Sequence, residues 1–270
     1  MKLMLLVLAA ACIALISGCI GQTTVTVSDL SIVAGFDPTT VKANEPTSFF
    51  IDLENTGITA IGNLTIDVFD TGILGVLGQT PCAANYIELR PSQLESLDCQ
   101  MQLLSPSSLI QPSTTTTVRF RTAFQKTIAG SFIADVITLD ELRRLERTGA
   151  LQYKAQSITF GDSQMQATLQ FNKQPPFLAG ETVIAQLTVQ NIGPGKIYTL
   201  DPTRFSMNQT GSEFDCNFAS TLYSTGQFPP ITCTFIAPSD IGTIATYPLT
   251  LTFGYDYELT QSASLTVEKS

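Results

Sequence analysis

The sequence predicts an all-β protein made of two tandem copies of one β-sandwich domain, joined by a short helix and preceded by an export leader. Three observations support this prediction: an internal repeat, apolar residues that alternate with polar ones, and turn-forming residues between the alternating segments. The chain has 270 residues, which is long for one domain and suits two.

The first residues are arranged like an export signal. Lys2 supplies a positive charge, an unbroken apolar run follows it, and the small residues Ser17 and Gly18 end the run. The run is short for a membrane-spanning helix, which needs about 20 mainly apolar residues. We therefore expect residues 1–18 to be a signal peptide and residues 19–27 to form a tether.

Residues 16–19, Ile-Ser-Gly-Cys, resemble the lipobox of prokaryotic lipoproteins, in which a small residue precedes the cysteine that receives the lipid. The resemblance implies that Cys19 is the lipidated N-terminus of the mature chain and anchors it to the membrane. An uncleaved helical anchor and ordinary secretion are the alternatives. Because positive charge stays inside, either anchor leaves the rest of the chain extracellular, on the outer face of the cell membrane.

An internal repeat organises the mature chain. Residues 42–57 match residues 178–193 at a shift of 136, and two cysteines 17 residues apart recur at a shift of 134. Apolar positions near the ends of the copies recur at a shift of 131. We expect the two domains to cover residues 28–137 and 151–270. The residues that recur in the first block are Ala43, Glu45, Asn55 and Gly57, at Ala179, Glu181, Asn191 and Gly193.

Apart from Cys12 and Cys19 near the N-terminus, the chain contains four cysteines: Cys82, Cys99, Cys216 and Cys233. An even number of cysteines in an exported chain predicts disulfides, with buried free thiols as the alternative. Because a pairing across the copies would break their equivalence, the repeat favours one disulfide within each copy. Neither pair forms a C-x-x-C motif, so we expect structural disulfides, each worth about 3 kcal/mol in the chain-entropy description.

Each copy shows the alternation of β-strands that have one buried face. Phe49, Ile51 and Leu53 alternate with polar residues, and residues 183–189 do the same at the equivalent place. Turn-forming triplets such as Asn-Thr-Gly and Asp-Thr-Gly separate the segments. About seven strands in roughly 110 residues is typical of an immunoglobulin-like (Ig-like) sandwich.

The two copies also resemble prokaryotic Ig-like surface modules of the CARDB and S-layer-associated type. In those modules a strand runs from an Ala-Gly-Glu start into an Asn-x-Gly end. Here residues 43–45 lead into 54–57, and residues 179–181 lead into 190–193. The first copy departs from the pattern at Asn44, where Gly is usual. The resemblance implies an archaeal cell-surface lipoprotein with tandem Ig-like domains.

One segment breaks the β pattern. Residues 138–150 place three leucines at helical spacing and end near Gly149, a natural C-cap. Thr138 and Glu141 have the spacing of a capping box. We expect a short linker helix that packs its leucines on a domain end. The alternative is that its arginines dock on anionic headgroups or an acidic partner; they are Arg143, Arg144 and Arg147.

The composition argues against most catalytic classes and against nucleic-acid binding. Because there is no His, a Ser-His-Asp or Cys-His centre and an imidazole metal site are excluded. A net charge of −9 argues against nucleic acid. Asp67 and Asp70 are a candidate carboxylate pair, but odd spacing on a strand points them to opposite faces. We expect no enzyme activity, no cofactor and no metal site.

Two N-x-[ST] sequons begin at Asn63 and Asn208. In an exported archaeal or eukaryotic protein they are candidate glycosylation sites. Such triplets also occur by chance in a chain rich in Ser and Thr.

The expected function is that of a non-enzymatic adhesion, binding or spacer module at the cell surface. Its partners would be the membrane, through the lipid anchor, and proteins or glycans bound by sheet edges or loops. The alternative is a structural subunit of a cell-envelope or filament assembly, in which the same sheet edges pair with copies of themselves.

Overall fold

A computed structural model describes residues 23–27, 29–78, 82–104, 111–208, 213–217 and 228–269 of the chain. In these ranges the structure is mainly β, with one short helix, so the all-β prediction is confirmed. The chain divides into two compact units that are β-sandwich-like. Unit 1 contains the described residues up to Thr122 and from Thr260 onward, and unit 2 contains Ala123–Leu259.

Unit 1 is built from two sheets. Its elements are β1 (Thr23–Val27), β2 (Leu30–Asp37), β3 (Thr40–Lys42), β4 (Thr47–Asn55), β5 (Ile61–Asp70), β6 (Leu74–Val76), β7 (Ala83–Leu89), β8 (Leu94–Leu103), the first part of β9 (Ser113–Ile137) and the last part of β17 (Ile244–Glu268). One sheet has the order β1-β2-β4-β8-β6. The other has the order β17-β9-β5-β7, and β3 lies parallel to the end of β17.

Unit 2 repeats this plan. Its elements are the rest of β9, α1 (Leu139–Thr148), β10 (Ser157–Gly161), β11 (Met165–Phe171), β12 (Phe177–Leu178), β13 (Thr182–Asn191), β14 (Lys196–Asn208), β15 (Glu213–Cys216), β16 (Ile231–Ile236) and the first part of β17. One sheet has the order β10-β11-β13-β16-β15. The other has the order β14-β17-β9, and β12 lies parallel to the end of β9.

The five-stranded sheets of the two units share one register as well as one strand order. Asn55 lies opposite Leu30, and Asn191 lies opposite Met165. On the other side of the same strands, Phe49 faces Cys99 and Ala185 faces Cys233. The recurring residues in the sequence therefore occupy equivalent places in the two sheets.

Each unit is completed by a strand from the other copy of the repeat. The last part of β9 belongs to unit 2, and the last part of β17 belongs to unit 1. Ala43 donates its N–H to the carbonyl of Glu268 at 2.8 Å, and the equivalent Ala179 donates to Ile137 at 2.9 Å. The boundaries expected from the sequence, 28–137 and 151–270, differ from these units in where they place the exchanged strands.

The exchanged strands are encoded by alternation without interruption. Along β9 every second residue is buried from Thr116 to Ile128, across the point where unit 1 ends. Residues 113–129 contain no Gly, Pro, Asn or Asp, so nothing in them favours a hairpin turn. The inward residues join aromatic cores, in which Phe120 packs on Phe49 in unit 1 and Phe132 packs on Phe171 in unit 2.

The helix α1 forms within the predicted residues, and its ends differ from the expectation. Gly149 is left-handed (φ 66°), and the N–H groups of Gly149 and Ala150 bond to Glu146 and Leu145, which confirms the C-cap. The predicted capping box is wrong. The Thr138 side chain makes no capping bond; Glu141 instead accepts two hydrogen bonds from Arg144, at 2.6 and 2.7 Å.

The helix belongs to unit 2, and none of its residues is fully buried. Leu139 is exposed, whereas Leu142 and Leu145 are half-buried. The bidentate bond to Arg144 lowers the pKa of the Glu141 carboxyl. Arg143 and Arg147 line a shallow depression with Asp140 and Glu146, so the helix surface carries both signs of charge.

Candidate functional site

Both predicted disulfides form, and they occupy different places in the two units. Cys82 is bonded to Cys99, and Cys216 is bonded to Cys233; each pair closes 17 residues. Cys216 and Cys233 lie directly opposite each other on neighbouring strands of one sheet. Cys82 precedes β7 in one sheet, whereas Cys99 lies on β8 in the other, so this disulfide joins the two sheets of unit 1.

The other predicted modification sites are only partly covered by the described residues. Cys19 and the leader lie outside them. Asn63 is exposed on β5 with a left-handed backbone (φ 46°), at a place where the pairing between β5 and β7 skips one residue. Asn208 ends β14, and the rest of its sequon lies outside the described residues.

Each of the two candidate carboxylates lies beside an arginine of β9. Asp67 on β5 bonds to Arg121 of β9 at 2.9 Å, and Asp70 lies 4.0 Å from Arg119. The side chain of Asp70 also accepts the N–H of Gly72 at 3.0 Å. Over the described ranges, no group of three or more His, Cys, Asp or Glu side chains is placed to hold a metal ion.

Unit 2 contains a buried ion pair that the sequence patterns did not indicate. Lys126 Nζ of β9 lies 3.4 Å from Asp162 Oδ2, and these side chains are 6% and 17% exposed. The Tyr255 hydroxyl donates to the same oxygen at 2.6 Å. Asp162 Oδ1 accepts the backbone N–H groups of Gln164 and Met165, both at 2.9 Å. Every acceptor of this carboxylate is thus engaged, which indicates a structural role.

Tyr257 completes the polar cluster around this ion pair. Its hydroxyl accepts the N–H of Gly195 at 2.6 Å. Burial raises the pKa of the Tyr257 hydroxyl, the bond from Gly195 opposes that rise, and the charge of Asp162 adds to it. The neighbouring Gln164 is fully buried, and its side-chain oxygen has no partner among the described residues.

The outer face of the five-stranded sheet in unit 1 is acidic. The outward residues of β2, β4 and β8 include four carboxylates and no Lys or Arg; the acidic members are Asp37, Asp52, Glu54 and Asp98. We call this surface the acidic face. Ser96 donates to Asp52 at 2.5 Å, and Ser48 donates to Asp98. Two of its carboxylates are therefore held by serines rather than by cations.

The equivalent surface in unit 2 carries no charge on four of its five strands, and the edge strand β15 adds one exposed carboxylate, Asp215, opposite Thr234. The four uncharged strands form the surface described next. It consists of the outward residues of β10, β11, β13 and β16, which are every second residue over 157–161, 166–170, 182–190 and 232–236. All of them are Ser, Thr, Gln, Gly or Ile. We call this surface the neutral face. Its strands meet in register, so Thr168 lies opposite both Thr159 and Thr188.

Each carboxylate of the acidic face has an uncharged equivalent in unit 2. The common register gives four pairs: Asp37 and Asn172, Asp52 and Thr188, Glu54 and Gln190, Asp98 and Thr232. In two of the four pairs, the residue in unit 2 is the carboxamide that has the same shape as the carboxylate in unit 1: Asn172 for Asp37 and Gln190 for Glu54. A carboxylate only accepts hydrogen bonds, whereas a carboxamide donates and accepts, so the two faces offer different hydrogen-bonding groups.

A groove crosses one end of the neutral face. Its volume is about 330 Å³, and four side-chain amides line it, from Gln156, Gln170, Asn172 and Gln186. Ile184, 47% exposed, supplies an apolar wall. We call this feature the amide groove. Gln156 donates to the Phe171 carbonyl at 2.6 Å, whereas the other three amides make no hydrogen bond to a described residue.

Sequence reasoning did not identify the neutral face or the amide groove, although the repeat contained a signal for both. Aligning residues 47–55 with 183–191 already places Asp52 against Thr188 and Glu54 against Gln190. The loss of charge in one copy of a repeat is thus a readable difference. The ion pair of Lys126 and Asp162 joins residues far apart in the sequence and leaves no comparable pattern.

Within the described residues, no helix has the length and apolar character needed to cross a membrane. No protein-family model matches the chain, and no curated protein matches it.

Three solved structures are similar to parts of the chain at low scores. One is a protein of unknown function from Porphyromonas gingivalis W83, with 9% identity and a TM-score of 0.23 over 77% of this chain and 83% of the other. The secreted serine protease VesC from Vibrio cholerae has 11% identity and a TM-score of 0.20, covering 88% and 52%. Red sea bream transglutaminase has 10% identity and a TM-score of 0.23, covering 91% and 32%. At these scores the similarities carry no argument about function.

Proposed function

We propose that this chain is a non-enzymatic lipoprotein on the outer face of the cell membrane, where two Ig-like domains form a binding or spacer module. The observation that supports the extracellular location is the presence of two disulfides. Disulfides form and persist outside the reducing cytosol, and they suit an exported chain. The lipobox-like residues ending in Cys19 supply the anchor.

A non-enzymatic role is supported by the way the charged side chains are used. The carboxylates of Asp67, Asp162 and Glu181 each bond to a cation or to backbone N–H groups. None of them lines the amide groove, where no charged residue is present. Surfaces that differ in charge while the framework repeats suit recognition better than chemistry.

The experiment is a mass and accessibility measurement on intact cells. We expect the mature chain to begin at Cys19 and to carry lipid, and we expect an external protease to digest it without cell lysis. A Cys19→Ser variant should lose the lipid mass and leave the membrane fraction. An intact Met1 end, or protection from the protease until lysis, would contradict the proposal.

The alternative, a subunit of a surface assembly, has one observation in its favour. Ile87 is 86% exposed on β7, which is the edge strand of its sheet in unit 1. Exposed apolar edge strands are sites of pairing between chains. Sedimentation of the full chain at micromolar concentration should show self-association that Ile87→Lys abolishes. A monomer at all concentrations would remove this alternative.

A further inference from the structure

We propose that the amide groove of unit 2 binds an uncharged carbohydrate. The proposal rests on the proposed function and names the partner class of that surface module. It follows from the chemistry of the groove, because the ligand must satisfy several amides at once and must carry no charge.

The hydrogen-bonding groups of the groove match those of sugar hydroxyls. Gln170 and Gln186 lie directly opposite each other on β11 and β13, and Asn172 follows Gln170 on the same side. Each carboxamide offers donors and an acceptor. A hydroxyl group also donates and accepts, so neighbouring hydroxyls of one sugar ring can pair with successive amides. The acidic face of unit 1 has no comparable set, because its carboxylates only accept.

The absence of charge selects against other ligand classes. A phosphate, sulfate or carboxylate ligand would need Lys or Arg, and an ammonium group would need a carboxylate, but none of these residues lines the groove. A ligand without charge also avoids the cost of removing ions from water. Ile184 gives the apolar contact that the C–H face of a sugar ring can cover.

The size of the groove limits the ligand. Its volume of about 330 Å³ lies at the lower end of the usual range for ligand pockets, about 300–1,000 Å³. The row of Thr159, Thr168 and Thr188 continues from the groove across the same face. The groove therefore fits a short segment of a glycan, and the threonines beside it offer hydroxyls to the next residues of a polymer.

A second copy of the chain fits this face less well. Interface cores are rich in aromatic residues and Met, whereas the neutral face carries Thr, Gln and Ser with two isoleucines, Ile184 and Ile236. Self-association is an outcome that the test below separates.

The test is affinity electrophoresis of the full chain in mild detergent, with dextran, mannan and soluble starch as neutral polymers and dextran sulfate as the charged one. We expect at least one neutral polymer to retard the protein, its own oligosaccharide to reverse the effect, and dextran sulfate to have none. Gln170→Glu combined with Gln186→Glu should weaken binding at least tenfold. Gln186→Ala adds no charge and should weaken it about fivefold, which keeps the test informative if the double variant does not fold.

The matched control is Asp37→Asn combined with Glu54→Gln on the acidic face, which should bind like the parent. Failure of all three neutral polymers to retard the chain would overturn the proposal. Equal retardation of the parent and of the Gln170→Glu/Gln186→Glu variant would also overturn it. If the Gln170→Glu/Gln186→Glu variant changed from dimer to monomer while its retardation stayed the same, the proposal would likewise be overturned. The face would then be assigned to contact between copies of the chain. Lipid at Cys19 and protease accessibility are measured separately, so the surface location can stand when the carbohydrate site fails.

Discussion

The two units have the same framework and different chemistry on it. Both have a five-stranded sheet with the same strand order and the same register. Both also have an Asn-x-Gly turn and a disulfide that closes 17 residues. Unit 1 carries carboxylates on its outer face and has no charged residue among its buried described positions. Unit 2 has no charged residue on the outer face of β10, β11, β13 and β16, and it buries Lys126 beside Asp162.

The difference shows which residues are free to change in this fold. The turn residues Asn and Gly recur in both copies and the core positions stay mainly apolar, because sheet register and packing depend on them. Outward positions on a strand have no such constraint, so Glu54 and the equivalent Gln190 present different hydrogen-bonding groups on the same framework. The comparison also separates a framework, which the copies share, from the outward surfaces of their sheets, which differ.

The largest test of the comparison removes the strand that unit 1 takes from the second copy. A chain ending at Leu259 lacks the strand that pairs with β3 and accepts the N–H of Ala43. We expect amides of β2 and β4 to lose protection from hydrogen exchange almost completely, because the missing strand exposes the core of unit 1. Amides of β11 and β13 should keep theirs.

The control for this truncation removes Ser270 alone and should behave like the parent. Equal loss of protection in both units would show that the copies fold only together. Full protection in unit 1 would mean that the exchanged strand contributes nothing to its stability.

The exchange also shows how far the sequence could predict this structure. The strands, the disulfide pairs and the turn residues follow from local patterns that repeat, such as Asn55 accepting the N–H of Gly57 and Asn191 that of Gly193. The last part of β9 could pair within its own copy of the repeat or with the other copy. Both pairings are non-local, and both would bury the same residues. The uninterrupted alternation along β9 is compatible with both, so the unit boundaries could not be derived from the pattern.

A second test concerns the buried ion pair of unit 2. Lys126→Met leaves Asp162 buried without its cation, and we expect the free energy of unfolding to fall by about 3 kcal/mol, the lower end for breaking buried pairs. The measurement is urea denaturation followed by circular dichroism. The control is Lys154→Met: the Lys154 side chain is 50% exposed, so its ion pair with Asp135 should be worth less than about 1 kcal/mol. Equal effects would show that burial does not matter here.

A third test uses the two disulfides, which close loops of one length in different places. The chain-entropy description depends only on loop length and predicts an equal loss of about 3 kcal/mol for Cys82→Ser/Cys99→Ser and for Cys216→Ser/Cys233→Ser. Urea denaturation of the two double variants measures both losses. A larger loss for the first pair would show that joining two sheets contributes beyond loop closure.

The smallest expected effect compares the two recurring asparagines. Asn55 is fully buried, and its side chain donates to the carbonyls of Thr59 and Leu89, both at 2.8 Å. Asn191 is half-buried and donates to Gly195 at 2.8 Å. Unmet buried hydrogen bonds cost more than exposed ones, so we expect Asn55→Ala to lower the free energy of unfolding by about 2 kcal/mol and Asn191→Ala by about 1 kcal/mol.

Urea denaturation again supplies the measurement, with Asn172→Ala as an exposed asparagine that should change little. The order of the two losses is the informative result, because both side chains close the same turn and differ mainly in the bond to Leu89. A larger loss at Asn191 would mean that the turn near Tyr257, whose hydroxyl accepts the N–H of Gly195, depends on its asparagine more than burial predicts. The stability of unit 2 would then rest on its polar cluster rather than on the framework it shares with unit 1.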